Sequence, residues 1–441
     1  MTAKVPATSP PAAAPRRSLG LATCLALVVG NMIGSGVFLL PASLAPYGWS
    51  ALGGWVITIA GTLCLAAAFS ALARAFPRAG GPYAYVEEAF GSEAAFIVAW
   101  SYWVGLWVGN AALAVAFVSN LSTLVPAIAE QAGLGAGLAL ATVWLLTFIN
   151  MRGVRAGGLV ALVTTVLKLL PLIAVILIAA VVLCKGGSAA VVTPPTGLNL
   201  SAVTATVTLT MWAMLGFEAA TLPADKVRDP ERTIPRATMV GTAATGLVYI
   251  VVCAAMLLLV PAGSLAASNS PFADFARPFV GPVAASAIAL FAAIAALGAL
   301  NGWILVQAEM PRAMAEGGVF PRWFARLAAN GTPTNALIVS SGLMTVLVLA
   351  NFSKSMNALF VFTILISTAA MLVAYLAVAL AALKLRYAGR LPGPAWLVPV
   401  AGLGAAYSAF AILAAGREAV GWGAVLLAAG VPILWAVRKK T

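Results

Sequence analysis

The 441-residue sequence contains no histidine. That removes the side chain that most often shuttles protons near neutral pH and most often ligates metals. Cysteine is nearly as scarce. Cys24, Cys64, Cys184 and Cys253 stand singly, in or at the edge of apolar runs, without the paired spacing of a metal site or a disulfide framework. Neither a metal nor a cofactor is expected. Charge is scarce as well: 8% of residues are charged, against about 25% in soluble proteins, which excludes an ordinary water-soluble domain. A nucleotide-binding loop and paired catalytic carboxylates are also missing, so a membrane-embedded enzyme is disfavoured.

What is present is apolar. Hydrophobic residues make up 62% of the chain, and the mean hydropathy is +1.03. A helix needs about 20 such residues to cross the hydrocarbon. Twelve runs of roughly that length or more lie at 19–47, 50–75, 83–124, 134–151, 156–184, 198–224, 235–261, 279–316, 334–351, 356–385, 393–414 and 419–437. The third, eighth and tenth are long enough to tilt strongly or to run on beyond the bilayer. The fold expected is an all-α polytopic membrane protein with 12 transmembrane helices.

Basic residues orient it. With a cytoplasmic N-terminus, twenty of the twenty-five Lys and Arg residues fall on inner segments, and only Lys185, Arg277, Lys354 and Arg417 on outer loops. Lys168 lies inside a run. That asymmetry is the positive-inside pattern, and it places both termini in the cytoplasm. The net charge of +13 therefore reports topology, and nucleic acid is not an expected partner. Residues 1–18, rich in Pro, Ala, Ser and Thr, read as a disordered tail, and the apolar run after them is too long for a signal peptide.

Inside the sixth run stands Glu218, directly after Gly216-Phe217. An ionised carboxylate at membrane depth is costly unless it is paired or lines an aqueous cavity, which marks a functional site. Its surroundings match those of the first run. Aligning Gly34 in Gly30-Asn31-Met32-Ile33-Gly34-Ser35-Gly36 with Gly216 in Trp212-Ala213-Met214-Leu215-Gly216 brings Leu40-Pro41 onto Leu222-Pro223. A shift of five helices, an odd number, inverts the second unit. Corresponding Gly/Pro-interrupted helices are the mark of an inverted-repeat transporter with its site where the breaks meet. Amides freed around Gly34, Ser35 and Gly36, with the half-helix dipole behind them, suit a carboxylate. Carbonyls around Ile33 and from Trp212 to Leu215 suit an ammonium. An α-amino acid carries both groups, whereas the alternative, small residues that merely pack helices together, needs neither.

The Gly30 to Phe38 stretch, Gly80-Gly81-Pro82-Tyr83-Ala84-Tyr85, Trp212 to Glu218 and Arg228-Asp229-Pro230-Glu231-Arg232-Thr233-Ile234-Pro235-Arg236-Ala237 together resemble the amino acid, polyamine and organocation transporter superfamily, in particular its arginine/agmatine-exchanging antiporters. The likeness spans residues 19 to 437. It implies a leucine-transporter-type fold: a first five-helix repeat over 19–184, a second, inverted one over 185–385, and two further helices within 386–441 through which a homodimer forms. It implies a bacterial inner membrane location. It also implies that Gly34-Ser35-Gly36, with Asn31 close by, face the substrate carboxylate, that Trp303 stacks on the guanidinium, and that Asn110 and Ser367 contact its N–H groups. By the same resemblance the outer gate is Trp212, with Tyr102 near it and Tyr375 further along the tenth helix, and the inner gate is Tyr83 with Glu218.

Chemistry alone is compatible with this set. A flat cation is held well by a Trp face, while Trp303 is otherwise a packing residue or an interfacial anchor. Asn110 and Ser367 otherwise tie helices together. Lys168 departs from the antiporter pattern, which has a small apolar residue there. Other branches of the superfamily carry a lysine at this place, as a stand-in for the sodium ion of sodium-coupled relatives. It is either a proton site of the transport cycle or a structural cation fixed by carbonyls of the broken first helix. The expected function is exchange of a cationic amino acid for its decarboxylated amine by alternating access. The competing reading is a proton-coupled permease or exporter of neutral or other cationic amino acids. A channel is disfavoured, because two broken helices fit alternating access.

Overall fold

In hydrocarbon a backbone N–H or C=O must find its partner within the protein, so long apolar runs are driven into helices. The computed structural model describes residues 19–34, 36–78, 80–152, 167–192, 197–222, 224–351 and 355–438. Among these residues the chain is helical, with one isolated bridge, Leu19 to Val227, in place of any strand. The expectations for the tail 1–18, for Ser35, for Pro223, for residues 156–166 of the fifth run and for Arg155, Lys354, Lys439 and Lys440 lie outside the described residues.

In chain order the helices are α1 (Leu21–Met32), α2 (Gly36–Leu44), α3 (Ser50–Ala75), α4 (Pro82–Phe90), α5 (Ser92–Ser122), α6 (Ala127–Glu130), α7 (Ala132–Met151), α8 (Leu169–Gly186) and α9 (Leu200–Met214). There follow α10 (Pro230–Leu259), α11 (Ala262–Ala266), α12 (Pro271–Glu316), α13 (Thr334–Ala350), α14 (Met356–Tyr387), α15 (Leu397–Ala414), α16 (Arg417–Ala428) and α17 (Gly430–Arg438). Among the described residues, nine helical stretches are long and apolar enough to cross a membrane, and ten if α1 and α2, bent by 40°, count as one span; α9 and α13 are shorter apolar helices. Local signals set several starts. Pro82, Pro230 and Pro271 occupy first-turn positions, where the missing N–H is not needed. Asn199 caps α9 by accepting from the amides of Ser201 at 2.9 Å and Ala202 at 3.2 Å.

The third and eighth runs differ from expectation, and the twelfth is divided at Ala429 into α16 and α17. The third, 83–124, is two helices, because Gly91 takes φ +86° and turns the chain between α4 and α5. A left-handed position of that kind is cheap only for glycine. The eighth begins earlier, at Pro271, and bends at Gly281, whose φ is +79°.

Burial sorts the helices. α5 is the most enclosed, with α12 and α14 packed along it. α8, α16 and α17 turn most of their apolar surface outward, as with Leu177 and Trp435, both about 60% exposed. α3 and α10 pack together beside this centre, with α1 on α10 and α9 on α3. Both interrupted helices are therefore brought against α5 and α14.

Candidate functional site

The two interruptions meet. α1 stops at Met32, and α2 starts at Gly36. α9 stops at Met214; Leu215 is extended and Gly216 has φ +97°. Gly216 lies flat on the first break, where a Cβ would come within 3.0 Å of the Asn31 backbone. A break strands carbonyls that need partners. Tyr249 Oη donates to Met32 O at 2.7 Å and Lys168 Nζ donates to Gly30 O, while Asn31 Nδ2 turns back along α1 to donate to Leu27 O at 2.8 Å. Lys168 is therefore buried and fastened to the end of α1.

Between the breaks and α5 lies a cavity. The first break contributes Asn31, Met32, Gly34 and Gly36; α5 contributes Gly105, Leu106, Gly109, Asn110 and Leu113. The second break supplies Trp212, Ala213 and Leu215, while Trp303 comes from α12 and Ser367 and Met371 from α14. Of the positions expected to face substrate, Asn31, Gly34, Gly36, Asn110, Trp212, Leu215, Trp303 and Ser367 thus share one wall. Ile33 is buried but does not line it. No ionisable side chain of the described residues does either.

Trp212 is wedged in place. A Cβ on Gly36 would meet its Nε1 at 2.8 Å, and one on Gly109 would meet its Cη2 at 2.8 Å, so both glycines are required by the indole's bulk. Ser367 Oγ donates to Gly105 O at 2.6 Å, which ties α14 to α5. Asn110 Nδ2 donates to Gln307 Oε1 at 2.7 Å. Gln307 was not among the expected residues. The available signal was an amide in the apolar run of α12, one turn past Trp303.

One turn from the cavity, α5 places Tyr102 and α14 places Tyr375, while Glu218 follows Leu215 by three residues. Both hydroxyls donate to Glu218 Oε1, each at 2.7 Å. Glu218 is fully buried, and its Oε2 has no partner among the described residues. Phe69 and Phe217 pack edge-on against the Tyr375 ring at 5.6 and 5.0 Å and close this end in apolar material. This corrects the expected grouping. Tyr102 and Tyr375 belong with Glu218 rather than with Trp212, because α5 and α14 run antiparallel and carry both tyrosines away from the cavity in the direction Glu218 takes. Tyr83 stands apart from Glu218, on α4, where its hydroxyl donates to Glu87 Oε1 at 3.1 Å.

Beyond that end, polar links bring together segments far apart in sequence. Glu88 receives both Arg78 and Arg390, and Leu19 exchanges backbone hydrogen bonds with the segment around Val227, at 3.1 Å to Lys226 O and 2.8 Å from Arg228 N.

Comparison with known proteins gives a consistent result. The sequence profile described as amino acid permease matches residues 19–433. A cadaverine/lysine antiporter of Escherichia coli K12 is 35% identical over 340 residues, 76% of this chain and 74% of the relative. The putrescine transporter PotE of Haemophilus influenzae is 29% identical over 426 residues, 96% of this chain and 97% of its own length. PotE of Escherichia coli K12 is 28% identical over 411 residues, covering 92% and 93%.

Proposed function

We propose that this chain, which belongs to the amino acid permease family of the amino acid, polyamine and organocation superfamily and is a transporter, exchanges a cationic amino acid for its decarboxylated amine. The observation that carries the reading is the uncharged cavity between two helix breaks, with an indole, an amide and a hydroxyl at its wall. The stretch 34–36, where the first helix is interrupted, takes the carboxylate. Carbonyls of the two breaks take the α-ammonium. The Trp303 face, Asn110 and Ser367 take the cationic end without a counter-charge, so a monocation and a dication are both accepted, as exchange of the two requires.

The pair proposed is arginine for agmatine, because a planar guanidinium suits an indole face. Lysine for cadaverine is the second reading, favoured by the name of the 35% identical relative. The proposal includes twelve crossings in a bacterial inner membrane, inverted five-helix units over 19–184 and 185–385, both termini cytoplasmic, and a homodimer through the helices of 386–441. Trp212 gates one side of the cavity. Glu218 with Tyr102 and Tyr375 gates the other, and Tyr83 lies further out on that side.

Counterflow into proteoliposomes preloaded with arginine, agmatine, lysine, cadaverine or putrescine tests it. Uptake of labelled arginine only into vesicles holding a member of this panel, and strongest with agmatine inside, is the expected result. Uptake into empty vesicles driven by a proton gradient alone overturns exchange in favour of a proton-coupled permease.

A further inference from the structure

Ser367, Met371 and Tyr375 follow one another at four-residue intervals on α14, so one stripe of that helix runs from the cavity wall to the partner of Glu218. On α5 the matching stripe is Gly109, Gly105 and Tyr102. The cavity stops short of the end of both stripes. Its lining on these helices includes Met371, Gly105 and Leu106, but neither tyrosine and not Glu218. The layer in between is apolar. Met371 and Leu106 are buried, and the Met371 side chain lies across Gly105, where a Cβ would come within 2.5 Å of its Cγ. One turn behind that layer, Glu218 Oε2 is buried without a partner among the described residues. A cation pushed past Ser367 therefore meets a thioether, against which it loses water and gains no partner.

We propose that Met371 is a specificity residue that sets the length of amine the site accepts: its side chain closes the cavity short of Glu218 and so favours short substrates over long ones. This deepens the exchange reading and rests on it, because there the cationic end lies at Asn110 and Ser367, one turn before Met371 on α14. An unbranched, adaptable side chain fills the gap over Gly105. Its truncation leaves space that the surrounding helices close only in part. That space borders a carboxylate oxygen still in need of a donor, so it is filled best by a longer chain with a cation at its far end.

The test measures direct binding to the purified full-length protein of two series, linear diamines and aminoalkylguanidines, with four, six or eight methylenes; agmatine is the shortest of the second series. In wild type, affinity should fall from four methylenes to eight. In Met371→Ala the ratio of eight-methylene to four-methylene affinity should rise about tenfold, the scale of two further methylenes removed from water. Met371→Leu, which fills about the same volume, should keep the wild-type ratio. Equal losses at every length in Met371→Ala, with the ratio unchanged, overturn the assignment and make Met371 a packing residue only. If Met371→Ala does not fold, Met371→Val decides in its place, a raised ratio supporting the assignment and an unchanged one overturning it. A wild type that binds long and short chains equally overturns the length limit alone, whereas one that binds neither series overturns the exchange reading as well, so the two failures are distinguishable.

Discussion

Trp303 is half-buried at the cavity wall, where an indole face is partly shielded from water and a cation over it is worth ~2 kcal/mol. Trp303→Leu should therefore weaken arginine binding roughly thirtyfold. Titration of the purified variant checks this, and wild-type affinity would reduce Trp303 to a packing residue. The residue scale is also where the sequence was most and least legible. Gly36 and Gly109 could be read as places without side chains, but only Trp212 lying across both explains why none fits there. The Glu218 partners were illegible for a related reason. Tyr102 and Tyr375 are 116 and 157 residues away from it, and only helix packing sets their distances.

At the scale of elements, Lys168 fastens the start of α8 to the end of α1 at Gly30, just before the break. An intramembrane ammonium joined to a stranded carbonyl stabilises both groups, and its removal leaves each unpaired. Lys168→Ala should lower thermal stability and exchange together at every pH. A variant that folds and exchanges normally but loses its response to a proton gradient would make Lys168 a proton carrier instead; flux with and without that gradient separates the two. Most helices were legible from apolar run length alone. The division of the third run was not, although Glu87 and Glu88 within 83–91 were a polar hint that the helix beginning at Ser92 was a separate one. Run length carries no information on a single left-handed glycine, which is what decided it at Gly91.

For the whole molecule, the decisive property is which ends face which compartment. The twelve crossings proposed above return the C-terminus to the side of the N-terminus. Single cysteines placed at Lys185 and Arg417 in a variant lacking Cys24, Cys64, Cys184 and Cys253 should react with an impermeant maleimide added to intact cells. One at Arg390 should react only after lysis. Labelling of Arg390→Cys from outside would reverse the orientation drawn from the basic residues. Composition makes the membrane legible, and the asymmetry of charge proposes its sides. Neither specifies how α5 comes to lie at the centre, since that follows from packing among helices that are all nearly equally apolar.

The shared oxygen of Glu218 has a kinetic consequence. Its two hydroxyl partners stand on different helices, so any motion that draws α5 and α14 away from the second break must part both contacts before replacements form. Where such an opening limits turnover, its cost enters the barrier mainly as enthalpy, and flux falls steeply on cooling. Tyr102→Phe and Tyr375→Phe each remove one of the two contacts. Arrhenius plots of exchange should be shallower for either variant than for wild type and shallowest for the pair. Parallel slopes would mean that the helices part in a step that does not limit the cycle.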